Sequence, residues 1–429
     1  MSILIKDATI LTQDSGRRKL HGDLYIEDQR ITQISEKHLK VEADYKIDGH
    51  KKLALPGLVN THTHLPMTLL RGYGDDMLLQ EWLQQRIWPV EAKLTPETIA
   101  DGTALGVLEM IASGTTTFLD MYFFEETIAD VTKKTGLRGF LGFGVVDFDT
   151  AQYKRSQLLP KCEQFVKTWL NDPLIQPVVA PHSAYTCSPD TLQQCQDIAT
   201  KYNVLLHSHC SETRDEVYDM EQRYGKRPID QFHSLGLLTP HMILAHCGWI
   251  TKTEIATMKE TDVSVAHCPV SNYKIGTGGY APIPEMQTAG LRIGLGTDGA
   301  ASNNTLDMFD TMKFAALGQK QHRWDPRVLP AQTVFDFATL GGAASLGIQH
   351  KIGSLEVGKH ADLILIDLDQ PHLTPVHDPV SHLAYAARGG DVCTTIVNGV
   401  PLMLDHKFTH LDADDIMKKA AASAEKLTS

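Results

Sequence analysis

This 429-residue chain has no cysteine pair in C-x-x-C spacing. Its seven cysteines stand at positions 162, 187, 195, 210, 247, 268 and 393. An odd, scattered set excludes a disulfide framework and a zinc knuckle, and it suits reduced thiols in the cytoplasm. The chain also lacks any block of Lys and Arg. With 40 basic residues against 52 acidic ones and a net charge of -12, nothing draws it to nucleic acid or to an anionic membrane. No apolar run approaches the roughly 18 residues of a membrane span. The opening MSILIKDATILT lacks the basic region and long apolar core of a signal peptide. These absences predict a cytoplasmic protein whose partners are small molecules, with no membrane or nucleic-acid partner; self-association into a homo-oligomer stays open.

What is present is a large core, 42% of the residues being hydrophobic, and alternating strand and helix patterns. The length exceeds the about 250 residues of a single (β/α)8 barrel, so a barrel plus an accessory domain is expected. Eight β-type runs qualify as barrel strands: 55–60, 115–120, 140–146, 175–180, 204–209, 242–246, 263–267 and 292–298. Thr95 and Pro96 mark a helix start by N-cap and first-turn proline, and that helix stops near Gly114. Short strands fill residues 1–55, and the same texture returns after 355. Each end is too short to bury a core alone, so the two are expected to pair into one small β-sandwich beside the barrel. The division expected is 1–55 for the first part of the sandwich, 56–354 for the barrel, and 355–429 for the rest of the sandwich with a closing helix.

Chemistry concentrates where strands end. The apolar run Pro56-Gly57-Leu58-Val59-Asn60 leads into His62 and His64, whose i, i+2 spacing puts both imidazoles on one side of a strand. Val204-Leu205-Leu206 leads into His207 and His209, with Glu212 three residues on; Met242-Ile243-Leu244-Ala245 ends in His246, and the run from Arg292 ends in Asp298. Each candidate lies at the C-terminal end of a strand, which is the catalytic face of a (β/α)8 barrel. Imidazoles and a carboxylate gathered there suit a divalent metal and a hydrolytic water. An isolated His-x-His is weak evidence; the regular recurrence carries the argument.

The stretches PGLVNTHTH, HSHCSE, the strand-end His246, HCPVSN and GTDGAASNN together resemble the amidohydrolase superfamily along essentially the whole chain. IWPVEAKL, DMYF and APHSAYTCS are most similar to its 5'-methylthioadenosine/S-adenosylhomocysteine deaminases. The resemblance implies His62, His64, His209 and Asp298 as ligands of one divalent ion per subunit, usually Zn2+. The fourth strand ends Val179-Ala180-Pro181-His182 without the lysine that bridges two metals in relatives, which favours a single ion. It further implies a purine nucleoside as substrate: water attacks C6 of the adenine, Asp298 takes its proton, His246 orients it, Glu212 protonates ring N1, and ammonia leaves. Glu91 is implied as the ribose contact and His182 as a nucleoside contact, with Glu212 and Asp298 also facing the substrate.

Each residue has a plainer reading. His207 shares a strand face with His209 and competes with it as ligand. His246 can be a satisfied core histidine, Asp298 a helix cap, Glu91 a solvated helix residue and His182 an ordinary loop residue. Trp82, Trp88 and Met77 suit either a pocket wall or core. Phe143 stands near where some relatives carry an arginine for the homocysteine carboxylate, and Arg155 is the available substitute. The rival enzymatic reading is a hydrolase of another heteroaromatic ring, of the guanine or pterin deaminase or chlorotriazine hydrolase type. The rival outside enzymology is a barrel kept for interaction alone.

Overall fold

The computed structural model describes residues 1–429. Its centre is a closed barrel of eight parallel strands. In chain order they are Leu58–Thr63, Thr115–Tyr122, Arg138–Val145, Ile175–Pro181, Leu205–Cys210, Met242–His246, Ser264–His267 and Arg292–Leu295. These strands are buried on both sides because helices cover the outside and side chains fill the inside; every residue of the second and third strands is buried. All eight expected runs are strands. The first begins after Gly57, since Lys52–Pro56 is a strand of the accessory sheet, and the last stops three residues short of Asp298. Thr95 caps the helix Pro96–Ala112, its hydroxyl accepting from the amide of Thr98.

The barrel interior divides by height. Val59, Leu119, Phe140, Val178, Ile243 and Ala266, one from each of six strands, form an apolar cluster that Ala343, Leu346 and Ile352 close from below. Above that cluster lie the histidines.

The two chain ends build a nine-stranded sheet. Leu363–Asp367 pairs antiparallel with Lys52–Pro56, and this joins the C-terminal strands to the N-terminal ones. The edge strand Arg30–Ser35 is covered by the loop that precedes Leu363–Asp367: the Ile31 amide donates to the Lys359 carbonyl, and the Gly358 amide donates to that of Ile31. One face of the sheet carries a separate core that includes Ile3, Ile5, Ile26, Leu363 and Ile396. Ser2–Leu11 is one long strand with a bulge, and Tyr45–Asp48, Val400–Leu404 and Lys407–Phe408 are shorter strands of the same sheet. A buried Arg138–Asp362 pair, with guanidinium to carboxylate distances of 3.1 and 3.2 Å, pins this sheet to the third barrel strand. The last helix, Ala413–Thr428, lies on Pro96–Ala112, where Ser423 donates to Asp101. No helix is long and apolar enough to cross a membrane, and all seven cysteines are buried free thiols.

Candidate active site

The orientation of four histidines at the barrel mouth follows from which of their nitrogens are already taken. The Ile243 carbonyl accepts Nδ1–H of His207 at 3.0 Å, so His207 Nε2 is left as an acceptor and receives Nδ1–H of His62 at 2.8 Å. That leaves His62 Nε2 as a bare lone pair, buried and without a partner. The Met121 carbonyl accepts Nδ1–H of His64 at 2.6 Å, and the His182 carbonyl accepts Nδ1–H of His209 at 2.8 Å. The Asn272 side-chain oxygen accepts Nδ1–H of His246 at 2.8 Å. Every ring therefore turns an Nε2 lone pair inward.

These lone pairs converge with a carboxylate. His62 Nε2 and His64 Nε2 lie 3.4 and 3.2 Å from Asp298 Oδ1, and His209 Nε2 lies 3.3 Å from His64 Nε2. His62, His64 and His209 form one group of convergent ligand atoms, and His62, His246 and Asp298 form another. Acceptors crowded this closely repel one another unless a cation sits among them. Three imidazoles and one carboxylate are a set that suits a borderline ion such as zinc. Without a metal the field falls on protons. Burial pushes His62 down to about 4, whereas the bond and charge of Asp298 overcome burial at His64 and lift it to about 9. Burial opposes charge on Asp298 too, but His62 and His64 outweigh it and hold this carboxyl well below the usual range.

Both nitrogens of His207 are used, which leaves it no lone pair for the cluster and makes it a support for His62. Asp298 keeps part of the capping character considered for it: it accepts from Ser302 Oγ at 3.0 Å, from Ser271 Oγ at 2.6 Å and from the Gly299 amide at 2.8 Å. Close packing explains Gly296, where a Cβ would stand 2.8 Å from that of His62. Within the cluster itself, His246 at φ 69° and Asp298 at φ 61° have left-handed backbones. For His246 the reason is visible in the strand: Ile243 belongs to the inner cluster and Ala245 pairs in register with His209 and Ala266, so simple alternation would turn His246 outward, and the left-handed φ swings it back.

Residues 53–402 match the Amidohydrolase family. The chain belongs to this family. As an amidohydrolase it is similar, at 43% identity over 95% of its length and 94% of the relative's, to the 5-methylthioadenosine/S-adenosylhomocysteine deaminase of Thermodesulfovibrio yellowstonii. It is 42% identical to the 5'-deoxyadenosine deaminase of Methanosarcina barkeri, covering 99% of this chain and 98% of that one. Among solved structures, a zinc-bound adenosine deaminase from Xanthomonas campestris superposes with a TM-score of 0.95 at 35% identity, over 99% of this chain and 98% of that one.

Around the amidohydrolase cluster the remaining candidates divide. Glu212 lies 3.9 Å from His246 Nε2, its carboxyl raised by burial and free of any hydrogen bond within the chain. Glu91 is half-buried rather than solvated, and Tyr122 Oη donates to its Oε1 at 2.8 Å. His182 turns Nδ1 to the hydroxyls of Ser183 and Thr186, and burial lowers it to about 3. Phe143 packs against Tyr153 and against Phe165 of the outer helix Arg155–Trp169, away from the barrel interior. Arg155 is engaged by Asp147 at 2.9 Å. Trp82 is core, while Trp88 is half exposed. Sequence reasoning did not single out Tyr122 or Asn272, although both lie inside motifs that carried the resemblance, DMYF and HCPVSN.

Proposed function

We propose that this amidohydrolase is a zinc-dependent hydrolytic deaminase of adenosine thioethers, converting 5'-methylthioadenosine or S-adenosylhomocysteine to the inosyl product with release of ammonia. The observation that carries the reading is the convergence of three imidazole lone pairs and the Asp298 carboxylate beside Glu212 and His246. The two deaminases of 42–43% identity described above are named for adenosine derivatives, which supports the choice of ring. His62, His64, His209 and Asp298 would hold the ion. When bound, a zinc ion lowers the pKa of a water in such a site.

The rest of the chemistry belongs to the chain. His246 carries its proton on Nδ1, held by Asn272, so Nε2 is free to accept from the attacking water and aim it. Asp298 stays ionised and takes a proton from that water, with Ser271 and Ser302 steadying its Oδ2. Glu212, whose carboxyl burial shifts towards its protonated form, would give a proton to ring N1, which keeps negative charge off the purine as C6 becomes tetrahedral. Asp298 then returns its proton to the departing amine, and the hydroxyl proton released as the C6 carbonyl forms restores that of Glu212. Tyr122 occupies one oxygen of Glu91 and leaves the other for a ribose hydroxyl, while His182 has Nε2 free for the nucleoside. Because Asp147 holds Arg155 and Phe143 faces outward, the reading ranks uncharged 5' substituents ahead of the homocysteine carboxylate.

The test is loss of adenine absorbance with ammonia release when zinc-loaded protein meets 5'-methylthioadenosine, S-adenosylhomocysteine, 5'-deoxyadenosine and adenosine, compared by kcat/KM. Absence of turnover on all four with zinc bound overturns the proposal.

A further inference from the structure

Glu212 has no hydrogen-bond partner of its own within the chain, so the aim of its carboxyl depends on the backbone that carries it. That backbone is a strained elbow. Ser211, directly after the fifth barrel strand, has a left-handed φ of 50°. The amides of Ser211 and Glu212 both point at one side chain: the carboxylate of Glu216 accepts from Ser211 at 2.9 Å through Oε1 and from Glu212 at 2.7 Å through Oε2. Glu216 is 5% exposed. On the other side, the Trp249 amide donates to the Ser211 carbonyl at 2.9 Å, so the elbow is held on both faces.

The placement of Glu216 departs from a familiar local pattern. Thr213-Arg214-Asp215-Glu216 has the form of a capping box, in which the glutamate would bond the amide of its own N-cap residue. Thr213 does cap the helix Arg214–Tyr224, its hydroxyl accepting from the Glu216 amide at 3.1 Å. The Glu216 carboxylate passes over the Thr213 amide and takes the two amides before it. A side chain needed only to start the helix would not reach that far.

We infer that Glu216 is a positioning residue for the deamination: by receiving two consecutive amides it fixes the peptide that presents Glu212 to the substrate ring. The inference rests on the role proposed above for Glu212. Both oxygens of Glu216 must accept, so glutamine is a sharp probe, since it has the same size but would set an NH2 group against one of the amides. Glu216→Gln is expected to keep its zinc and its KM within about twofold and to lower kcat on the order of 10²-fold, the usual result of a small misplacement of a reacting group.

The deciding measurement is the double variant. If Glu216 acts through Glu212, adding E216Q to E212Q costs less than about twofold further, because the group it positions is already gone. Equal losses in both backgrounds, or an unchanged kcat in E216Q, overturn the inference while leaving the assignment of Glu212 in place. Full activity in E212Q removes both. Should E216Q fail to fold, hydrogen exchange of the native holoenzyme decides: slow exchange across 209–213, comparable to the barrel strands, supports the two amide bonds, and loop-like exchange overturns them.

Discussion

The floor and the mouth of the barrel are built from the same eight strands and obey opposite rules. In the floor, Val59, Leu119, Phe140, Val178 and Ile243 meet as a cluster of apolar side chains. A few residues further along those strands, four imidazole lone pairs face one another and a carboxylate, His62 Nε2 has no partner, and the backbones of His246 and Asp298 are left-handed. The floor holds the barrel closed. The mouth works against it, and is tolerated because the floor, the covering helices and the hydrogen bonds at each Nδ1 fix its side chains from behind. Stability and chemistry are thus separated by height within one element, not by domain.

Substitutions at the two levels should fall on different observables. Asp298→Ala is expected to lower kcat/KM by about 10⁴-fold or more and to abolish zinc retention, while the metal-free variant melts no lower than the metal-free parent. A large fall in the melting temperature of the metal-free form would show that the mouth carries stability after all. Phe140→Ala is the converse, costing about 3–5 kcal/mol in denaturant unfolding by opening a cavity in the floor, with KM and bound zinc unchanged in the folded fraction.

The pH dependence of stability should come from the mouth and its flank. His182 and His267 are both held near 3 by burial, and both nitrogens of His267 lack partners. Their folded values lie below the unfolded value of about 6.5, so the unfolded chain binds more protons and stability falls as pH drops from about 6.5 towards 3. His267→Gln should flatten that acid slope by up to about 1.4 kcal/mol per pH unit, read from urea midpoints at several pH values. A slope identical to that of the parent would remove His267 as a cause. The smallest effect is expected of Tyr122→Phe, which removes the bond to Glu91: a rise of several-fold in KM, about 1 kcal/mol, with kcat preserved. A fall in kcat instead would place Tyr122 nearer the reacting ring than its contact with Glu91 suggests.

The barrel and most of the candidate cluster are legible in the sequence because both depend on periodicity and on strand ends. The i, i+2 spacing of His62 and His64 states which side they share, and in the structure both reach Asp298 Oδ1. The choice of His209 over His207 rests in the sequence on the family resemblance alone, since periodicity puts both on one strand face. In the structure it turns on hydrogen bonds to Ile243 and His182 that arrive from neighbouring strands. His246 defeats alternation altogether, because the sign of φ leaves no trace in a hydrophobic pattern. Glu91 and Tyr122 are 31 residues apart and meet only when the barrel closes. The Glu216 anchor is hidden for a different reason, as its local sequence already has a sufficient explanation as a capping box.

One further consequence lies in the pairing of Leu363–Asp367 with Lys52–Pro56. During synthesis, the first 56 residues leave the ribosome with the strand Lys52–Pro56 open along one edge. Its antiparallel neighbour follows only after some 300 more residues, on the order of a quarter of a minute to a minute at ordinary translation rates. Through that interval the nascent chain carries an unpaired apolar edge of the kind that recruits strands from other molecules. The joint between the early and late parts of the sheet is therefore its point of greatest exposure while the chain is being made.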